Sequence, residues 1–346
     1  MRRHAVMTAA LVIVVLTTPR PAMLTAAPLY SGPRPDPGQM SALPSHVRRV
    51  EAAMVGIRVQ VRPDRPSVAT LGPERWGSGV IFDAAAGYAL TVSYILLDAE
   101  LIEVMLRDGR TVPGRLIGLD LEVGVGVVKL QGPGPWPAAA FGDSTTVAAG
   151  DVTGTVGVSE DGALVATSGR IEAVRPFSAA WEYMLDRAFV VSPDNAAFGG
   201  GALVDSSGRV IGITSLRLGA APPYVNLAIP IEKFLPSKDE LCDKGRVVSR
   251  RSRPWLGLYT VSGEGGSVVV AGVSPAGPAL AAGFRRGDII VRLNGEKVAS
   301  QEDFYARLWR GTVGREVQLV VQRDARFEAI TVRSADRYRV YRTSDK

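Results

Sequence analysis

From Val59 to about Pro236 the chain is a succession of short β-prone runs, cut at close intervals by Gly, Pro, Asp and Ser. No long stretch of helical periodicity interrupts them. Short strands separated by tight turns bury their apolar faces only by closing on one another, so this region is read as a barrel or sandwich. Val47 to Val59 reads as a short helix running into the first strand. Asp98-Ala99-Glu100 reads as a connection into the strand Ile102-Glu103-Val104-Met105-Leu106.

At Pro254 the pattern changes. Strand-like runs, Ser267-Val268-Val269-Val270-Ala271-Gly272-Val273 and Val317-Gln318-Leu319-Val320-Val321, now flank one helical segment. Ser300 can cap that helix, and Glu302 and Asp303 suit its positive end. Phe304 and Leu308, at i and i+4, share its buried face. Asn294-Gly295 is a tight-turn signal. With 346 residues, 46% hydrophobic and 21% charged, the chain has room for two globular domains.

Ahead of these domains lies a leader. Arg2-Arg3-His4 is a positive head, and Ala5 to Leu16 is an apolar run of signal-peptide length, shorter than the about 20 residues of a membrane-spanning helix. Residues 1–27 therefore read as an export signal, either cut near Thr25-Ala26-Ala27 or kept as a membrane anchor. Residues 28–44 read as a Pro-rich linker. The expected location is the periplasm or cell envelope.

The formal charge is +6. The arginines are scattered, aromatics are 7% of residues and no nucleic-acid motif occurs, so no nucleic-acid partner is expected. Cys242, the one cysteine, reads as a linker thiol. The clustered Cys and His of a zinc site are lacking, so neither metal nor cofactor is expected.

Gly199-Gly200-Gly201-Ala202-Leu203-Val204, followed by Gly208-Arg209-Val210-Ile211-Gly212-Ile213, resembles the nucleophile segment of trypsin-like proteases of the HtrA/Deg family. Gly79-Val80-Ile81-Phe82 and Gly87-Tyr88-Ala89-Leu90-Thr91 resemble the strands leading to that family's histidine. Asp120-Leu121-Glu122-Val123-Gly124-Val125-Gly126-Val127-Val128-Lys129-Leu130 resembles the run holding its acid, and Asn226-Leu227-Ala228-Ile229-Pro230-Ile231 its closing strand. The resemblance implies a mostly β fold: a trypsin-like double β-barrel over residues 45–240.

It also places Tyr94, Gly124 and Gly199 where the histidine, acid and serine belong. A serine nucleophile needs an adjacent base, and that base an orienting group. A phenol keeps its proton to about pH 10, and glycine has no side chain to offer. The chain holds 2 His: His4 in the leader and His46 before the first strand. In a well-studied serine protease, loss of the triad costs about 2 × 10⁶ in turnover, roughly 8–9 kcal/mol of barrier. The expectation is a non-catalytic protein, although the backbone N–H groups of Ala197 and Gly199 are still placed to form an oxyanion hole.

Ser274-Pro275-Ala276-Gly277-Pro278-Ala279-Leu280-Ala281-Ala282-Gly283-Phe284-Arg285-Arg286-Gly287-Asp288-Ile289-Ile290 is similar to the hallmark of the PDZ domain that follows the protease domain in HtrA-like proteins. The implied α+β domain covers 254–336, after a basic, solvated linker at 241–253 and before a tail at 337–346. PDZ domains add an extended peptide to a sheet edge beside a helix. The resemblance assigns Leu256-Gly257-Leu258 to the loop that meets a terminal carboxylate, with Phe304 and Leu308 on the helix beside it. It implies a protein or peptide partner through this groove, and an oligomer or larger complex.

Overall fold

The structure is a computed structural model that describes residues 45–345; the expected signal, anchor and Pro-rich linker lie outside the described residues. After a single turn of helix, α1 (Ser45–Arg48), the first barrel closes in the order β1-β2-β3-β6-β5-β4. Its strands are β1 (Met54–Gln60), β2 (Glu74–Asp83), β3 (Tyr88–Val92), β4 (Leu101–Met105), β5 (Thr111–Asp120) and β6 (Val125–Leu130). The short helices α2 (Val68–Leu71) and α3 (Ser93–Leu96) sit in its connections. The second barrel closes as β10-β11-β12-β9-β8-β7. Its strands are β7 (Val152–Val158), β8 (Leu164–Ala179), β9 (Tyr183–Ser192), β10 (Ala202–Val204), β11 (Val210–Leu218) and β12 (Val225–Pro230).

Alternation drives the closure. In β4, Leu101 and Glu103 face solvent while Ile102 and Val104 are buried, the period of two expected of a half-buried strand. One apolar core spans residues of both barrels, from Val55 and Leu90 to Val156 and Leu216. The mostly β architecture anticipated from the turn spacing is the one found.

The segment after the second barrel departs from expectation. Residues 244–253 read as a solvated linker, yet they are docked. Helix α4 (Lys238–Lys244) buries Leu241 and Cys242, so the expected linker thiol sits against the core. Val247 joins the same core. Arg250 reaches both carboxylate oxygens of the fully buried Asp120 at 2.8 Å, and Arg253 stacks 4.1 Å from the Trp309 ring centroid. A charge run reads as solvated because its partners, Asp120 and Trp309, are remote in sequence.

The second domain is a sheet in the order β13-β14-β15-β17-β18, with β16 beside β15. Its strands are β13 (Leu258–Ser262), β14 (Val268–Val273), β15 (Ile289–Leu293), β16 (Glu296–Lys297), β17 (Glu316–Arg323) and β18 (Arg326–Arg333). Asn294 and Gly295 take φ 48° and 85°, as the hairpin turn between β15 and β16 requires. Helix α5 (Pro278–Ala281) is one turn long, and α6 (Gln301–Arg310) packs on the sheet. The Asp303 N–H donates to Ser300 Oγ at 3.1 Å, so Ser300 caps α6 as read. This domain has its own core, which includes Leu256, Phe304 and Leu308.

The chain end returns to the first barrel through α7 (Arg337–Val340). The Leu121 N–H donates to Tyr338 Oη at 2.9 Å. The Arg342 N–H donates to Asp98 Oδ1 at 2.6 Å, and the Asp98 N–H to Arg342 O at 3.0 Å. The two domains are thus braced by linker and tail together.

Candidate functional site: the barrel cleft and the PDZ loop

Tyr94, Gly124 and Gly199 come together. Tyr94 lies on α3 at the end of β3, Gly124 in the turn between β5 and β6, and Gly199 in the loop ahead of β10. All three line a cleft of ≈ 300 Å³ that runs from the barrels to Gly257 and Tyr259 of the second domain. The segment alignments made on sequence therefore converge on one place.

The chemistry there is not that of a triad. Tyr94 Oη donates to Ser215 O at 2.9 Å, and burial pushes the phenol well above its ordinary value. A Cβ at Gly199 would lie 3.1 Å from Tyr94 Oη, so a serine there would meet a protonated phenol instead of a base. Gly124 has φ 92°, and a Cβ on it would lie 2.8 Å from Tyr183 Oη. That hydroxyl donates to Val123 O at 2.5 Å. The Tyr183 phenol fills the space that an acid at position 124 would need. His46 is buried in α1 and is not part of the cleft lining.

The nucleophile loop is committed inward. The Ala197 N–H donates to Asn195 Oδ1 at 2.8 Å, which removes one of the two donors anticipated for an oxyanion hole. Thr214 Oγ1 donates to Phe198 O at 2.5 Å, and the Ser78 N–H to Gly199 O at 2.7 Å. A side-chain acceptor two residues upstream had taken the Ala197 donor, a local Asx contact that competes with ligand binding.

The apolar-Gly-apolar loop of the second domain has the geometry of a carboxylate cradle, and it holds a carboxylate of this same chain. The N–H groups of Gly257 and Leu258 donate to Glu182 Oε1 at 2.7 and 2.9 Å, and the Leu256 N–H donates to Glu182 Oε2 at 3.0 Å. Glu182 stands at the tip of the β8–β9 hairpin with φ 54° and is 1% exposed. Burial pushes its carboxyl up to about 7, against the pull of the three N–H groups and Arg337. Gly257 itself takes φ 82°, and a Cβ would lie 2.6 Å from Gly277 Cα. The close approach of two backbones requires glycine there.

Beside this loop, the Thr260 N–H of β13 donates to Ala180 O at 2.8 Å. Tyr305 Oη lies 2.8 Å from Ala179 O and 3.0 Å from Ala180 O. Gln301 and Tyr305 are the α6 residues whose polar ends reach the groove. Phe304 and Leu308, expected beside the ligand, are 0% and 2% exposed within the domain core. Glu182, Tyr183, Gln301 and Tyr305 were missed on sequence. Trp181-Glu182-Tyr183 is conspicuous as an acid between two aromatics, but no local pattern ties it to residues 256–258.

Comparison with known proteins agrees with this geometry. Residues 77–213 match the trypsin-like peptidase domain family, and residues 254–333 match the PDZ domain family. The Serine protease Do-like HtrA of Lactobacillus helveticus is 28% identical over 72% of this chain and 66% of its own length. The Probable periplasmic serine protease do/HhoA-like of Haemophilus influenzae is 29% identical over 72% of this chain and 56% of its own. This chain thus spans less than two thirds of those curated relatives. A solved structure titled HtrA-type protease AlgW with tripeptide is similar with a TM-score of 0.52 and 26% identity, covering 84% of this chain and 95% of that one.

Fold and cleft together define the class: a trypsin-like peptidase domain joined to a C-terminal PDZ domain. That is the HtrA/Deg arrangement, and the relatives that share it are named serine proteases.

Proposed function

We propose that this chain is a non-catalytic HtrA-like pseudoprotease that works by binding, as a peptide-binding, scaffold or complex-subunit protein of the cell envelope. The observation that carries the reading is the occupancy of the triad positions by Tyr94, Gly124 and Gly199, with Tyr183 filling the space beside Gly124. No base adjoins the serine position, and the acid position has no room for an acid. Hydrolysis by the serine route needs both.

The envelope location draws on the charged-then-apolar leader and on relatives named periplasmic. A peptide or protein partner draws on the PDZ match and on the carboxylate cradle at Leu256–Leu258. The names of the relatives favour a second reading, an active envelope endopeptidase. The two readings separate on one assay. Purified protein incubated with unfolded casein leaves it intact over hours; casein cleavage that co-elutes with this chain and survives repurification would establish the second reading.

A further inference from the structure

The PDZ groove has two parts, and the β8–β9 hairpin fills both. One part is the loop of three N–H donors, which holds the Glu182 carboxylate. The other is the edge of β13, the terminal strand of its sheet, where the Thr260 N–H is taken by Ala180 O. An extended peptide entering by strand addition needs the same donors. A backbone N–H serves one good acceptor at a time, so hairpin and peptide exclude each other.

The remaining contacts hold the hairpin in place as a ligand is held. The Glu182 N–H donates to Tyr305 Oη at 3.3 Å. Ser178 Oγ donates to Glu302 Oε1 at 2.5 Å at the start of α6. Met184 packs on the core of the PDZ domain. The next residue along from Glu182, the first of β9, reaches a different place. That residue is Tyr183, whose hydroxyl lies against Gly124 in the barrel cleft. One hairpin tip therefore occupies the carboxylate loop with one side chain and the vacant acid position with the next.

We infer that the β8–β9 hairpin is an internal ligand of the PDZ domain, its Glu182 side chain standing in for the terminal carboxylate of a peptide. A partner bearing a free C-terminal carboxylate enters the groove only when the hairpin withdraws, and withdrawal takes Tyr183 away from Gly124. Groove and cleft therefore open together. The inference rests on the reading of Leu256–Leu258 as a carboxylate site.

Amide hydrogen exchange on the full exported chain tests the occupancy in the unaltered protein. The amides of Leu256, Gly257 and Leu258 exchange at least about 100-fold more slowly than in an unstructured peptide. Exchange at the unstructured rate would overturn the inference, whether or not any variant folds. In Glu182→Ala, shown to be folded by unchanged protection of β5 and β6, these three amides exchange at least about tenfold faster than in wild type. Unchanged protection in that variant would also overturn it.

A random library of displayed C-terminal peptides is then selected on Glu182→Ala. A selected peptide binds the variant at least about tenfold tighter than wild type, because only a fraction of wild type is open, and its C-terminal amide binds neither. Equal affinity for the two proteins would overturn exclusion by the hairpin. If exchange behaves as expected but no C-terminal binder is selected, occupancy by Glu182 is supported and the peptide-binding reading of the groove falls.

Discussion

Gly124 combines two constraints that a single substitution cannot satisfy. Its φ of 92° suits glycine, and the Tyr183 phenol stands where a Cβ would go. Left-handed backbone costs a non-glycine residue about 1–3 kcal/mol, and forcing volume into a packed site about 1–3 more. Gly124→Asp should therefore lower stability by about 2–6 kcal/mol in urea unfolding while yielding no proteolysis, even combined with Gly199→Ser. At Asp288 the electrostatics run the other way. Burial raises that carboxyl, but the bonds from Arg323 and the Arg285 N–H together outweigh it and hold it below the ordinary 3.8. A depressed folded value means the contribution is present above the unfolded value and lost as pH falls through the folded one. Asp288→Asn should cost about 1–3 kcal/mol at pH 7, since it removes the charge facing Arg323, which keeps Glu328 Oε2 and Gly283 O as partners. In thermal unfolding the gap to wild type should begin to close near pH 4, as the unfolded carboxylate protonates, and close fully only once pH falls through the lower folded value. That Tyr94, Gly124 and Gly199 meet in one cleft was legible in sequence, because flanking strand motifs fix their positions. The neighbour of Gly124 was not: Tyr183 reaches it from the other barrel.

Among the elements, the linker after the second barrel shows how a polar segment becomes structural. Arg250 supplies the counter-charge to Asp120, which is fully buried and also accepts from the N–H groups of Glu122 and Val123. Because the Arg250 side chain is 34% exposed, its loss should cost less than the about 3–5 kcal/mol of a fully buried pair. We expect about 2 kcal/mol for Arg250→Ala in denaturant unfolding, with proteolytic nicking between residues 244 and 253 made faster. Strand spacing, the Asn294-Gly295 turn and the Ser300 cap were readable because each is set by residues within a few positions. Linker docking was not, since 130 residues separate Arg250 from Asp120. The hairpin tip was hidden for the same reason. Its acid and aromatics acquire meaning only when β13 and α6 are brought against them.

For the whole molecule, linker, tail and hairpin each tie the PDZ domain to the barrels. Asp98 and Arg342 exchange two backbone-anchored bonds, and Thr70 Oγ1 lies 3.2 Å from Tyr259 Oη. The cleft between the barrels is lined by aromatic side chains, with Tyr94 and Tyr183 among them. The order of the two folded domains and the fold class were legible, because each domain carries several separated motifs in sequence order. The way the domains meet was not, because it depends on single contacts across long separations. The central claim is that this cleft has no activated nucleophile. Intact-mass spectrometry of the purified chain after incubation with a fluorophosphonate measures that most directly. The account predicts an unshifted mass at every incubation time; a single stoichiometric adduct mapping to residues 45–240 would contradict it.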